Sequence, residues 1–173
     1  MKLYLETSVP NFLFSRQDAE KRLVTAHFFL EVRNGLHEVV TSTLYEWEVA
    51  RHPSETMRAE LLQILVDFSI LVVPLKQEAY DLAVRYVACE AFTESNFQDA
   101  LHVAIAAVEG CDGIVSWNFK HIVRAWTMQK VLQLHRRISE WIASPETAAT
   151  GPVAWREMFE TGQSHRHTSV ICP

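Results

Sequence analysis

Residues 2–8, KLYLETS, decide how this chain is read. KLYL is a short apolar run of the kind that forms a buried strand, and Glu6 stands where that strand ends. Residues 113–119, GIVSWNF, repeat the arrangement: an apolar run, then Ser116, Trp117 and Asn118. A carboxylate closing a central strand is costly unless it is paired or bound to a cation. The structural alternative for Glu6 is a carboxylate serving the helix that begins near Ser8. In open α/β sheets, ligands bind outside the carboxyl ends of the strands, so residues far apart in sequence can meet there.

Working outward, EVVTS and ILVVPL read as two more strands, the second stopped by Pro74. Between the strands lie segments of helical period. Residues 18–34 carry Leu23, Ala26, His27, Leu30 and Val32 as a stripe, and Gly35 stops it. Residues 55–68 carry Met57, Leu61, Leu62, Ile64, Leu65 and Phe68. Residues 77–91 carry Ala79, Leu82, Ala83, Tyr86 and Val87. Strands alternating with helices predict an α/β, Rossmann-like domain. Its central, mainly parallel sheet has about four to five strands and is flanked by helices. RISEWI near Arg137 is expected to add an edge strand, because Ile138, Glu140 and Ile142 share one face. Pro145, Gly151 and Pro152 place the end of the domain near residue 147. Residues 148–173 read as a C-terminal extension with a short helix at Trp155–Phe159 and a mobile polar tail from Gly162.

A chain of 173 residues supports one well-buried domain. Its formal net charge of −5 is unusual for a nucleic-acid binder, which takes much of its affinity from neutralising phosphates. Any such contact must use a local patch or a bound metal. Cys89, Cys111 and Cys172 have no C-x-x-C spacing, which suits a reducing cytoplasm. No stretch approaches the ~20 apolar residues of a membrane span. The five glycines form no G-x-G-x-x-G or P-loop pattern, which argues against a dinucleotide-binding or nucleotide-hydrolysing use of the sheet.

Two further acids complete the candidate set. Ser95 and Gln98 have capping-box spacing, which places Asp99 just inside the first turn of a helix striped by Leu101, Ala104, Ile105 and Val108. Its bland reading is an acid favoured by the helix dipole. Glu46 and Glu48 compete for one role, because they project about 200° apart on a helix. Thr43 with Glu46 fits a capping box, so Glu48 is favoured for the site. Asp112, at the amino end of the fourth strand, reads as a turn residue with Gly110 and Gly113. Carboxylates gathered at Glu6, Glu48 and Asp99 repel one another unless a cation joins them. An oxygen set without cysteine suits Mg²⁺ or Mn²⁺.

Among the other residues, Lys120, His121 and Arg124 form the best local cationic group, with Arg51 and His52 a weaker second. His102 and His121 are candidates for a general base. His165 and His167 have metal-like spacing within the polar tail. Trp47, Trp117 and Trp126 suit base stacking or, by default, core packing.

YLETSVPNFLF, TSTLYEWEV, DALHVAIAA and IVSWNFKHI, in that order, resemble the PIN-domain proteins, in particular the VapC-type toxins. The resemblance runs from the first strand to about His121, and more loosely to Thr147. It implies a metal-dependent ribonuclease selective for single-stranded RNA. By matching position, Glu6 takes the first acid, where aspartate is more usual. Glu48 follows the second strand, Asp99 opens the DALH helix, and Asn118 takes the final acidic position. Thr7 and Ser8 match the first-strand turn, and Ser116 the small hydroxyl residue near the end of the fourth strand. These residues imply a site in which Glu6, Glu48, Asp99 and Asn118 serve catalysis and the metal. Thr7, Ser8, Ser116, Lys120 and His121 hold substrate.

Two expectations of different class follow. The first is a cytoplasmic Mg²⁺- or Mn²⁺-dependent endoribonuclease, the toxin of a type II toxin–antitoxin pair. Its partners would be an RNA substrate, an antitoxin protein and a second copy in a homodimer. The second is a PIN-like binding module that has lost catalysis, to which Glu6, Asn118 and the acidic balance lean.

Overall fold

Leu3, Tyr4 and Leu5 of β1 (Lys2–Leu5) are each at most 1% exposed, so the strand is covered on both faces. That is the habit of a central strand in a parallel sheet. The computed structural model describes residues 1–118, 120–142 and 169–171. β1 is followed by α1 (Ser8–Leu13), α2 (Ala19–Arg33), β2 (Glu38–Ser42), α3 (Thr43–Ala50), α4 (Glu55–Asp67) and β3 (Leu71–Val73). Then come α5 (Gln77–Ala88), a 3₁₀ turn at Glu94–Asn96, α6 (Phe97–Val108), β4 (Gly113–Val115), α7 (Ala125–Ile142) and β5 (Ser169–Ile171).

The five strands run in the order β3-β2-β1-β4-β5, and every pairing is parallel. The expected α/β class, with its parallel sheet flanked by helices, is what forms. Leu3 pairs with Val39 of β2 on one side, and Leu5 with Val115 of β4 on the other. From β1 the chain fills one side of the sheet with β2 and β3, while β4 and β5 occupy the other. The strand order therefore reverses between β1 and β4, where open α/β sheets bind ligands.

The chain divides into two compact units. The first comprises residues 1–75, 112–118 and β5. Its core joins Leu3, Leu5 and Val115 of the sheet to Phe28, Phe29 and Val32 of α2, Tyr45 and Val49 of α3, and Leu61, Ile64 and Leu65 of α4. Each fully buried side chain of this size stabilises by about 1.5–3 kcal/mol. α2 turns inward a face that shares only Val32 with the expected stripe. Thr25, Phe28, Phe29 and Val32 are buried, while Leu23 and Leu30 are 68% and 54% exposed. The two phenylalanines carry more apolar area, and burying them rotates the leucines outward.

Caps also differ from expectation by one residue. Ser42, not Thr43, caps α3, its Oγ accepting from Leu44 N at 3.3 Å. Thr43 Oγ1 accepts instead from Leu75 N at 3.2 Å. Asp18 and Ser54 cap α2 and α4 by accepting from Lys21 N and Met57 N.

The second unit includes residues 76–111 and 120–142. α5 buries Ala79, Leu82, Ala83 and Tyr86, as its period predicts, and α6 buries every residue from Ala100 to Ala106. Tyr80 of α5 meets Phe97 of α6 edge-on, with ring centroids 5.3 Å apart. Ser95 does not cap α6. Its hydroxyl bonds Thr93 Oγ1 at 2.9 Å inside the 3₁₀ turn, and Asn96 takes the N-cap position without a side-chain capping bond. RISEWI is not a strand but the end of α7. The helical run from Ala125 outweighs six residues of alternation. The outer edge beside β4 is filled by Ser169–Ile171, from within the C-terminal extension. The expected helix at Trp155–Phe159, His165, His167 and Cys172 lie outside the described residues. Among the described residues no helix is long and apolar enough to cross a membrane.

Candidate active site

Glu6 leaves β1 still held to the sheet, its amide donating to Val115 O at 3.1 Å. The residue is only 6% exposed, so its carboxylate needs donors. It has three. Ser8 N donates to Oε1 at 3.0 Å, while the Ser8 and Ser116 hydroxyls donate to Oε2, the second at 2.8 Å. Ser116 follows β4 and is fully buried. Its Oγ also accepts from Asn118 N at 2.9 Å, and Ser8 Oγ accepts from Trp117 N at 2.9 Å. The ends of the two strands at the reversal point are thereby laced together through one carboxylate. Glu6 thus combines its alternative reading, a partner for the turn into α1, with a position in the crevice.

Glu48 reaches the same place from α3. Thr7 Oγ1 donates to Glu48 Oε2, and one carboxylate oxygen of Glu48 lies within 4.8 Å of one of Glu6. Thr7 is itself fixed by Asn11, whose amide donates to its carbonyl at 2.8 Å. Glu46, the competing acid, is exposed in the first turn of α3. Two buried or half-buried carboxylates this close repel one another in water-poor surroundings. Within the first unit, the groups that donate to them are the Thr7, Ser8 and Ser116 hydroxyls and the Ser8 backbone amide. This is a hard oxygen environment, and it fits Mg²⁺ or Mn²⁺ better than a thiophilic metal.

Trp117 lies between the site and the core. Its Nε1 donates to Thr25 Oγ1 at 2.9 Å, its ring meets Phe12 at 5.8 Å, and Lys21 Nζ lies 5.4 Å from the ring centroid. Core packing therefore accounts for Trp117, but not for Trp47 and Trp126, which are 42% and 49% exposed. Asp112 sits at the opposite end of β4, where Lys2 N donates to its Oδ2 at 2.8 Å.

The remaining candidates belong to the second unit. Asp99 lies in the first turn of α6, half-buried. His102, one turn later, is 1% exposed. Lys120 is exposed, and His121 Nδ1 lies 3.1 Å from the Asn96 amide nitrogen. Of the nine candidates, the structure joins Glu6, Thr7, Ser8, Glu48, Ser116 and Asn118 in one hydroxyl–carboxylate cluster within the first unit. Sequence reading did not single out Thr25 or Asn96, each of which holds a candidate side chain in place. Neither lies in a motif, and both are identified only by contacts distant in sequence.

No family model and no curated protein matches this chain. Among solved structures, it is similar to the crystal structure of VapBC2 from Rickettsia felis bound to a DNA fragment from their promoter. The TM-score is 0.50 at 15% sequence identity, over 70% of this chain and 93% of that one. At this identity the likeness is one of fold.

Proposed function

We propose that the chain is a Mg²⁺- or Mn²⁺-dependent endoribonuclease of PIN type, acting on single-stranded RNA as the toxin of a type II toxin–antitoxin pair. The observation that carries this reading is the Glu6–Glu48 carboxylate pair, within 4.8 Å at the point where strand order reverses. The fold shared with a VapBC2 structure supports it, as do the YLETS, DALH and SWNFKH motifs.

In this reading Glu6 and Glu48 hold the metal from the first unit. Asp99 is assigned to the same role by its motif alone. A bound metal ion supplies the site with a more acidic water and polarises a phosphoryl oxygen. Ser8 and Ser116 keep the Glu6 carboxylate in one orientation, and Thr7 does the same for Glu48. Asn118 orients a water or a substrate oxygen through its amide. Lys120 and His121 hold the phosphate backbone. The site is assigned to a cytoplasmic protein that works as a homodimer and is restrained by an antitoxin.

A second reading, a PIN-like module without catalysis, is favoured by one specific observation. The Glu6 carboxylate already accepts from three donors, and Asn118 adds no charge. End-labelled RNAs incubated with Mn²⁺, Mg²⁺ or EDTA separate the two. The nuclease reading expects metal-dependent cutting that Asp99→Asn abolishes while the variant stays folded. Full cutting by Asp99→Asn overturns the assignment. Intact RNA from a folded wild type that shows no thermal shift in millimolar Mn²⁺ selects the binding module.

A further inference from the structure

One cation–π pair near the site has no part in the core. Trp47 of α3 is 42% exposed, and the Arg51 guanidinium lies over its ring, 3.1 Å from the centroid. Arg51 Nη1 also donates to Trp47 O at 3.2 Å, so the cation is pinned at both ends. Such an arrangement spends conformational entropy before any ligand arrives. A stacked guanidinium presents a flat, charged face, and both indoles and guanidiniums stack on nucleobases.

The segment that follows the pair is locally basic, while Glu46 and Glu48 flank Trp47 on α3. In a chain of net charge −5, residues 51–58 carry Arg51, His52 and Arg58 against Glu55. Arg58 Nη1 donates to His52 O at 2.7 Å, and His52 Nδ1 accepts from Ser54 N at 3.2 Å. That second bond puts the His52 proton on Nε2, as a donor. Trp47 immediately precedes Glu48, so their Cα atoms are about 3.8 Å apart and their side chains about 100° around the helix. A strand engaging the carboxylates thus passes one turn or less from the stacked pair.

We infer that Trp47 and Arg51 form a nucleobase-stacking subsite for single-stranded RNA, flanking the carboxylate pair. This rests on the ribonuclease reading and adds where the strand is gripped beside the cut. Neither residue touches the reacting atoms; both position the substrate.

The test is anisotropy of a fluorescein-labelled 12-mer RNA, intact or with a single abasic nucleotide at each position in turn, in EDTA. Full-length wild type is compared with Trp47→Ala, Trp47→Phe and Arg51→Ala. Trp47→Ala is expected to weaken binding about five- to a hundredfold, the range for loss of one stacked base. Trp47→Phe should stay within about threefold of wild type, because a phenyl ring still stacks. One abasic position should weaken wild type while leaving Trp47→Ala unchanged, a signature that altered folding does not produce. Equal affinity of wild type and Trp47→Ala overturns the subsite and turns the exposed pair toward a protein partner. A wild type that neither binds RNA in EDTA nor cuts it when Mn²⁺ is restored overturns both the subsite and the ribonuclease reading. Binding with metal-dependent cutting, indifferent to Trp47, overturns the subsite alone.

Discussion

The Ser116 hydroxyl donates to Glu6 Oε2 at 2.8 Å, tying the end of β4 to the end of β1 across 110 residues of sequence. Ser116 Oγ in turn accepts from Asn118 N at 2.9 Å, so one fully buried hydroxyl orders both an acid and an amide of the candidate site.

Ser116→Ala removes both bonds at once. Glu6 loses a donor to a charged oxygen, and the Asn118 amide loses its acceptor. The expected cost is about 1–3 kcal/mol of stability. Urea unfolding checks it, and a midpoint equal to wild type would show that water replaces the hydroxyl at no cost.

Glu48→Gln relieves the repulsion between two carboxylates within 4.8 Å of each other. The amide oxygen still accepts from Thr7. Without metal, the variant should therefore unfold at the wild-type temperature or above it. With Mn²⁺ the order reverses. Wild type gains stability, about 2.7 kcal/mol at a hundred times the dissociation constant, and the variant gains much less. An undiminished Mn²⁺ shift in Glu48→Gln would remove Glu48 from the ligand set.

Trp117→Phe should cost about 1–3 kcal/mol, because it leaves the fully buried Thr25 hydroxyl without the indole donor. Trp117→Phe with Thr25→Val should recover part of that loss, since removing both polar partners is cheaper than removing one. A double variant no more stable than the single would show that shape, rather than the hydrogen bond, holds Trp117.

How far the sequence could be read depended on whether local pattern or distant contact fixed each element. β1 and β4 were legible because both faces are buried, which leaves apolar runs, and a polar residue ends each run. Glu6 and Asn118 were legible for the same reason: the ends of those strands are where a parallel sheet gathers ligands. Ser116 was singled out only through the PIN resemblance. α2 was misread because Leu23 and Leu30 are apolar yet exposed. Thr25 is polar yet buried, satisfied by Trp117, 92 residues away. RISEWI alternates like a strand, but it continues a helix begun at Ala125. Two expected capping boxes failed by a single residue, since Ser42 and Asn96 took the positions assigned to Thr43 and Ser95. The Thr7–Glu48 bond joins residues 41 apart and depends on how α3 leaves β2, which no local pattern encodes.

Tyr45 makes stability sensitive to alkali. Its ring is fully buried in the first unit's core, its O–H donates to Leu61 O at 2.8 Å, and burial pushes the phenol well above its ordinary value near 10. Burial first, and nearby Cys89 second, push the Tyr86 phenol the same way. Above pH ~10 the unfolded chain releases these protons while the folded chain keeps them, so unfolding gains free energy as pH rises. The contribution is complete below the unfolded value and is lost as pH climbs toward the folded one. Each phenol adds a slope of up to about 1.4 kcal/mol per pH unit in that window. Tyr45→Phe gives up the bond to Leu61 O, which costs about 0.5–1.5 kcal/mol at neutral pH, but it removes one phenol from the alkaline slope. Urea midpoints for wild type and Tyr45→Phe should therefore converge between pH 9 and 11. Parallel curves over that range would mean that the Tyr45 phenol ionises in place, with water reaching the core.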